Sequence, residues 1–564
     1  MYRKIYKFFL LFIFSTLTAI ACSSNTEPTQ TETPNSQQQK PPNIVMLIAD
    51  DMGYSDLSLY GGEVKTPNIE TLAKEGMMWT HFYASTTCPP TRAMILSGVD
   101  NHLAGFGTMP GYVASSQEGK PGYETQLSQK IVTMPTLLKD AGYNTYMVGK
   151  WHLGKKEGWR PSERGFEQTF SLLDGAGDHY TKRGYLPTRR VSEYSSNGKP
   201  VDLPENFYST NYYTDKLIEF IDSDRKDKKP FFAYVAHTSP HDPLQVPDEH
   251  YQKYKGKYDA GWDSIREQRF QRMKEIGLIP QDLELPPRWE NVPAWESLTS
   301  EEQKYEAKTM AIYAGMIDNL DENIGRLIDH LKQIGEYENT IFVFISDNGP
   351  EGANRPERPA WQAWLQEEGV DNSYGNIGKP NSFVALNIGW TQVSSTPFLW
   401  FKGRVSEGGI RVPAIFAYPG VIPADSQSDA FGSVVDLMPT LLEYAGVEHP
   451  GNSYNGQEIY PLNGRSLEPV LSGESDRVYT EEDSIGFELF GFGNSALIQG
   501  DWKILRLIEP WGDGEWKLFN IRQDPRELTN LAQQEPERLQ EMIRLYEQYE
   551  QEKGVVSTTE VLYE

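Results

Sequence analysis

Five short stretches of this chain are apolar almost throughout: Asn43 to Ala49 (NIVMLIA), Tyr143 to Val148 (YNTYMV), Phe231 to Ala236 (FFAYVA), Thr340 to Ile345 (TIFVFI) and Val412 to Tyr418 (VPAIFAY). A strand with one face in water alternates apolar and polar residues, so unbroken runs of this length belong to a sheet covered on both faces. Helical patterns lie between them, over Asn68 to Glu75, Met134 to Ala141 and Met310 to Gln333. In the last, Met316, Leu320, Ile324, Leu327 and Ile328 recur at helical spacing. Strand and helix in alternation predict a doubly wound α/β sheet. After about Val470 the pattern changes. Ala496 to Leu507 and Glu515 to Ile521 alternate like antiparallel strands, and Pro536 to Lys553 reads as a closing amphipathic helix, together a small C-terminal α+β subdomain.

The residues just past the apolar runs are polar and chemically specific. The first run ends in Asp50-Asp51, the second in Gly149-Lys150-Trp151-His152, the third leads to His237 and Pro240-His241, and the fourth ends in Asp347-Asn348. Taken singly, each reads as a solvated loop or a helix cap. Together they cluster past the carboxyl ends of strands, where open α/β sheets bind ligands. A net charge of −26, from 53 Lys and Arg against 79 Asp and Glu, argues against nucleic acid as a partner, which needs a basic face.

The chain has only two cysteines, too few for a disulfide scaffold. Arg3, Lys4 and Lys7 precede an apolar run from Phe8 to Ala21 that suits a secretory signal, and Ala19-Ile20-Ala21-Cys22 resembles a bacterial lipobox, with Ala19 where Leu is usual. Two readings stand: lipidation of Cys22, or an ordinary signal peptide cut near Ala21. Ser23 to Pro42, rich in Ser, Thr, Gln and Pro, reads as a solvated tether. The expected organisation is a signal peptide over 1–21, a lipid-tethered linker over 22–42, a main domain over 43–470 and the small subdomain over 471–564. The expected location is the periplasm or cell surface of a bacterium, with membrane contact only through Cys22. The other cysteine, Cys88, then has no disulfide partner, and is either chemically active or a buried inert thiol.

Around it the chain reads Thr87-Cys88-Pro89-Pro90-Thr91-Arg92, followed by an apolar stretch and Ser97-Gly98. This C-x-P-x-R pattern resembles the activation motif of type I sulfatases, within the alkaline-phosphatase superfamily. Asp50-Asp51, Gly149 to Gly154, Pro240-His241, Ser346 to Gly349, and Lys402 before Glu407-Gly408-Gly409-Ile410-Arg411 match that family in order, from about Asn43 to Leu531. Asp100-Asn101-His102 and a charged insertion over Tyr251 to Pro287 look most like the bacterial broad-specificity arylsulfatases. The resemblance implies a large mixed, mostly parallel sheet sandwiched by helices, and hydrolysis of sulfate esters. It also implies oxidation of Cys88 to Cα-formylglycine by a maturation enzyme.

The resemblance further assigns metal ligation to Asp50, Asp51, Asp347, Asn348 and the modified Cys88. Oxygen donors of this kind select Ca²⁺, or else Mg²⁺, over zinc. Arg92, with Lys150 and His152 beside it, would stabilise the hydrated aldehyde, while His241 and Lys402 would meet the sulfate and the bridging oxygen. Three carboxylates, a divalent ion and three basic side chains leave the pocket positive within an acidic protein, which favours entry of a small anion. His102, His179 and His237 either line the pocket or serve the fold, and Trp361, Trp364 and Trp390 either rim it or pack. Two rival functions remain at this level: a formylglycine-dependent phosphonate or phosphate ester hydrolase, and a non-catalytic ligand-binding lipoprotein.

Overall fold

A computed structural model describes residues 40–489, 494–558 and 560. The expected signal peptide, Cys22 and the linker through residue 39 lie outside the described residues, among which no helix is long and apolar enough to cross a membrane.

All five apolar runs are strands of one large sheet. The strands are β1 (Asn43–Ala49), β2 (Gly76–Tyr83), β3 (Asn144–Lys150), β4 (Gln168–Leu172), β5 (Phe231–Ala236), β6 (Thr340–Ser346) and β7 (Arg411–Ala417). They stand side by side in the order β2-β7-β6-β1-β5-β3-β4, with short strands at both edges. Every residue of β1, β3, β5, β6 and β7 is buried. The reason lies in the two cores. Val45, Leu47, Phe342 and Phe344 enter one core with Met316, Leu320 and Leu327 of the helix Ser300–Ile334. Ile44, Met46, Ile48, Val343 and Ile345 enter the other with Ala93, Ile95 and Leu137.

The sheet is mixed and mostly parallel, as the family resemblance implies: the segment from β6 to β4 is parallel, while β7 runs antiparallel to β6, and β2 antiparallel to β7. Apolar continuity reports burial on both faces and is silent about direction. The long helix begins at Ser300 rather than near Met310, because its first turns are polar and exposed; its start is marked by a capping box in which Thr299 and Glu302 exchange hydrogen bonds. The strand β2, GMMWTHFY, carries Gly, Thr and His and lacks the unbroken apolar signature.

At the C-terminus, Ala496 to Leu507 folds as two strands, Ser495–Gln499 and Trp502–Arg506. Ser484–Glu488 on one side and Lys517–Asn520 on the other complete a four-stranded antiparallel sheet. The helix Pro536–Lys553 covers one face through Met542 and Tyr546. Ala496, Ile498, Leu505 and Phe519 on the other face pack against Tyr83, Val405 and Ile410 of the main body.

His102 pins this junction. Its Nδ1 lies 3.0 Å from Asp100 Oδ1 and its Nε2 2.7 Å from Glu488 Oε2, while the Tyr549 hydroxyl donates to Asp100 Oδ2 at 3.0 Å. Burial alone would favour the neutral ring, but the two carboxylates raise its pKa to about 9. A pKa raised above the unfolded value of about 6.5 gives stability that is complete below that pH and lost as pH rises through the folded value, on the order of 3 kcal/mol. The apparent melting temperature should therefore fall more steeply between about pH 6.5 and about pH 9, the unfolded and folded pKa values, in the wild type than in His102→Gln. Parallel melting curves in the two proteins would remove this assignment.

Candidate active site

Strand register brings the polar residues together. Ala49 pairs with Ser346, Ile48 with Ala236, and Gly149 with Ala236, so Asp50-Asp51, Asp347-Asn348, Lys150 and the loop to His241 emerge side by side at one sheet edge. Arg411 pairs with Tyr83, so the reversed strand β7 starts where its neighbours end. Lys402 therefore reaches this edge from the loop before its strand, and Cys88 from the segment after β2. Two local features keep the register. A Cβ on Gly149, whose φ is +96°, would fall 1.9 Å from the Ala236 carbonyl oxygen, so only glycine lets β3 lie close enough for Lys150 to reach Asp50. Asp51 has a left-handed backbone (φ 64°), which aspartate tolerates better than most residues and which turns the chain sharply after β1.

Cys88 opens a ten-residue helix, Cys88–Ser97, all of whose residues are buried, and the positive end of the helix dipole lies at this residue. The thiol Sγ is 3.7 Å from Asp51 Oδ1. Ligand atoms of Asp50, Asp51, Asp347 and Cys88 all lie within 4.8 Å of one another. Three buried carboxylates at such range repel one another, and cations hold them. Lys150 Nζ is 2.7 and 2.8 Å from the oxygens of Asp50, and Lys402 Nζ is 2.8 and 2.7 Å from those of Asp51. Arg92 places Nε 2.8 Å and Nη2 2.7 Å from Asp347 Oδ2, and its Nη1 donates to the Lys150 carbonyl at 2.9 Å. Asn348 donates through Nδ2 to Asp51 Oδ1 at 2.7 Å, while its buried Oδ1 has no hydrogen-bond partner among the described residues.

Burial would raise Asp50 and Asp51, but Lys150, Lys402, His241 and Arg92 hold both below the usual carboxylate range. Burial also raises Asp347, and the adjacent carboxylates add to this against Arg92, so its pKa lies above the usual range. The Cys88 thiol is pushed well up by burial. Burial, aided by Lys150 and Arg92, lowers His152 far below the usual imidazole value, whereas Asp51 and Asp50 outweigh burial and raise His241. The two imidazoles of one site are thus shifted in opposite directions.

A cleft opens above Cys88. His152, His241 and Lys402 face it with the thiol, whereas Arg92 and Lys150 lie behind the carboxylates and do not line it. Its walls come from three segments: Met109, Pro110 and Tyr112 from the first, Asp174 to Ala176 with the hairpin residues Tyr185, Leu186 and Arg189 from the second, and Arg355 from the third. Tyr185, Glu351, Arg355 and Asp242 carry no motif, although Asp242 directly follows Pro240-His241. Burial would raise Glu351, but Arg355 and Lys402 hold it down to about 2.

None of the three undecided histidines lines the cleft. His179 sits behind His241, with Nδ1 2.6 Å from Ser209 Oγ and Nε2 3.1 Å from the His241 carbonyl; His237 is buried, and His102 is at the C-terminal junction. The tryptophans pack. Trp361 and Trp364 lie with Phe383 behind Tyr185, and Trp390 lies against Trp262 and Trp295. The Tyr251 to Pro287 insertion supplies Trp262 and Arg269, and the latter's Nη1 donates to Asp56 Oδ1 at 2.7 Å, bracing the turn beyond Asp51.

The C-terminal subdomain braces the Lys402 loop. Lys503 Nζ is buried 2.8 Å from Glu407 Oε1 and 2.7 Å from Glu527 Oε1, and Glu527 Oε2 accepts from the Glu407 amide at 3.0 Å. Trp511 packs on Phe401 and lies under the Arg404 guanidinium, 4.2 Å from its carbon.

A family model described as Sulfatase matches residues 42–447, a span that contains every residue of this cluster. The chain belongs to the sulfatase family. A second model, N-sulphoglucosamine sulphohydrolase, C-terminal, matches residues 397–553. An uncharacterized sulfatase of Schizosaccharomyces pombe is 42% identical over 535 residues, spanning 92% of this chain and 95% of that protein. The arylsulfatase of Klebsiella aerogenes is 40% identical over 439 residues, 77% of this chain and 92% of that protein. The solved structure of Ps i-CgsB shares the fold, with a TM-score of 0.64 at 24% identity over 90% of this chain and 93% of that one. The reaction of this sulfatase is the hydrolysis of sulfate esters.

Because Arg92 is fully buried against two carboxylates, Arg92→Met should lower stability by about 3–5 kcal/mol. Urea unfolding measures this, and a loss below about 1 kcal/mol would show that the carboxylates do not depend on Arg92.

Proposed function

We propose that this sulfatase is an exported hydrolase of the arylsulfatase type that uses Cα-formylglycine, formed from Cys88, together with one divalent cation. The observation that carries this reading is the place of Cys88: at the floor of the cleft, against Asp51, with a thiol that burial keeps protonated. A protonated thiol is a poor nucleophile, so the cysteine fits the part of a precursor better than that of the attacking group. With a relative exposure of only 2%, Cys88 is accessible to a maturation enzyme only before the helix Cys88–Ser97 packs.

The cation reading rests on the donors. Asp50, Asp51, Asp347 and the Oδ1 of Asn348, which has no partner among the described residues, form a buried set of protein oxygens, and a cage built from protein oxygens favours Ca²⁺ over the more tightly hydrated Mg²⁺. Ca²⁺ bound there would supply Lewis acidity toward a hydroxyl and a sulfate oxygen. Hydrated formylglycine would supply two hydroxyls, one to attack sulfur and one whose deprotonation releases sulfate.

The chain's own groups divide the remaining work. Lys402 and His241, whose pKa Asp51 and Asp50 raise against burial, face the cleft where they offset negative charge on the departing oxygen. His152 is neutral and its Nδ1 has no partner among the described residues, which suits it to accept a proton near residue 88. Arg92 and Lys150 hold the ligand carboxylates in place from behind. The apolar upper wall formed by Met109, Pro110, Leu186 and the Tyr185 ring suits an aryl or other apolar leaving group. Export, with an anchor at Cys22 and a place in the periplasm or at the cell surface, rests on the N-terminal sequence.

In protein from a host with the maturation enzyme, the Cys88 peptide should weigh about 18 Da less than the thiol form. Cys88→Ala and removal of divalent ions by EGTA should each lower aryl sulfate turnover at least a hundredfold, roughly what loss of a nucleophile costs, with Ca²⁺ restoring the second. An unmodified thiol in fully active protein would end the formylglycine reading, and a higher kcat/KM for a phosphonate monoester would reassign the substrate.

A further inference from the structure

Lys402 and His241 approach the cleft from different parts of the chain, yet a file of largely buried polar side chains joins them behind its wall. Lys402 Nζ lies 3.6 Å from Glu351 Oε2. Arg355 Nη1 donates to that same oxygen at 2.8 Å and to the Tyr185 hydroxyl at 3.0 Å. The Tyr185 hydroxyl donates to Asp242 Oδ2 at 2.8 Å, and Asp242 Oδ1 lies 3.0 Å from His241 Nδ1, which also meets the Asp242 carbonyl at 2.6 Å. Charge alternates along the file, and Glu351 is fixed at its other oxygen by the amides of Gly352 and Ala353, at 3.0 and 2.8 Å. This path does not pass through any of the carboxylates assigned to the cation.

Tyr185 occupies the middle of the file and also forms part of the cleft wall. Its ring stands edge-on to His241, with centroids 5.2 Å apart, edge-on to Trp361 at 5.3 Å, and stacked on Phe383 at 5.8 Å. A ring held on several sides, with its hydroxyl both donating and accepting, has little freedom to move. Lysine by contrast has four side-chain torsions, and its ammonium goes where its partners place it. Stabilisation of a developing charge requires donors fixed to within about half an ångström.

We propose that Tyr185 is a positioning residue for leaving-group departure: through Arg355 and Glu351 on one side and Asp242 on the other, its hydroxyl sets Lys402 and His241 at a fixed spacing across the bridging oxygen. The inference rests on the roles given above to Lys402 and His241. Charge on that oxygen grows with the basicity of the leaving group, so loss of alignment penalises poor leaving groups most. A structural role would reduce all substrates alike.

The test is a series of substituted phenyl sulfates spanning several units of leaving-group pKa, compared between wild type and Tyr185→Phe. The variant keeps the ring and removes the hydroxyl. The expected result is a KM within about threefold of wild type for the best leaving group, a kcat/KM about tenfold lower there, and a loss of about a hundredfold for the poorest, so that the dependence on leaving-group pKa steepens. Glu351→Gln, which weakens the far end of the file and leaves the wall intact, should steepen it in the same sense. Formylglycine content and melting temperature are measured on each protein, and rates are expressed per modified chain. An unchanged slope in both variants, or an equal loss at every leaving group, overturns the proposal. Failure of the underlying reading is separate, because it appears as wild-type turnover that survives Cys88→Ala.

Discussion

Three carboxylates buried within a few ångströms of one another set the terms for the rest of this molecule. Each would cost several kcal/mol if left alone in a dry interior. The fold meets this by burying a cation for each: Lys150 on Asp50, Lys402 on Asp51 and Arg92 on Asp347. These cations come from strand ends, a helix and a loop far apart in sequence, so the site closes only when the sheet has its full register. The tolerance is narrow, since a one-residue slip of β3 would remove Lys150 from Asp50 and place a side chain where Gly149 meets the Ala236 carbonyl. The raised pKa of Asp347, caused chiefly by burial with Asp50 and Asp51 adding to it, is what a bound cation would relieve.

The architecture also explains why one half of the cleft is more elaborately held than the other. Residues of the parallel strands arrive on short connections from rigid β-structure. Lys402 arrives on a loop that precedes a reversed strand, and its position relies on braces outside the sheet. Glu351 and Arg355 reach it from one side, while Lys503, Glu527 and Trp511 of the C-terminal subdomain secure the segment immediately after it. The subdomain is thus continuous with the machinery of the site, and residues 41–564 form one compact unit.

Much of this was legible in the sequence because its cause is local. Apolar runs marked β1, β3, β5, β6 and β7 since burial on both faces leaves no room for polar residues. The C-x-P-x-R motif and the strand-end pairs marked the cluster because each is a short, contiguous signal. The features that stayed hidden depend on partners distant in sequence. The reversed direction of β7, the start of the long helix in an exposed polar turn, and the strand β2 with its Thr80 and His81 fall in this class. The same holds for Glu351, Arg355 and Tyr185, ordinary residues outside the large sheet, of which Arg355 and Tyr185 meet by a hydrogen bond across more than a hundred positions. The tryptophans Trp361, Trp364 and Trp390 show the converse: conspicuous in sequence, the first two fill space behind the wall and the third packs against Trp262 and Trp295.

The brace at Glu527 carries a consequence in time as well as in space. The stretch that steadies the Lys402 loop lies within the last tenth of the polypeptide, roughly 120 residues after the lysine itself, as Glu407 and Glu527 are separated by 120 positions. In the order of synthesis, the residues of all the main strands and of the Cys88 helix precede this stretch. A chain cut short before Glu527 would thus retain its carboxylates and its cysteine while leaving the Lys402 loop without this brace. The setting of Lys402 is completed late, by a part of the chain made long after Cys88.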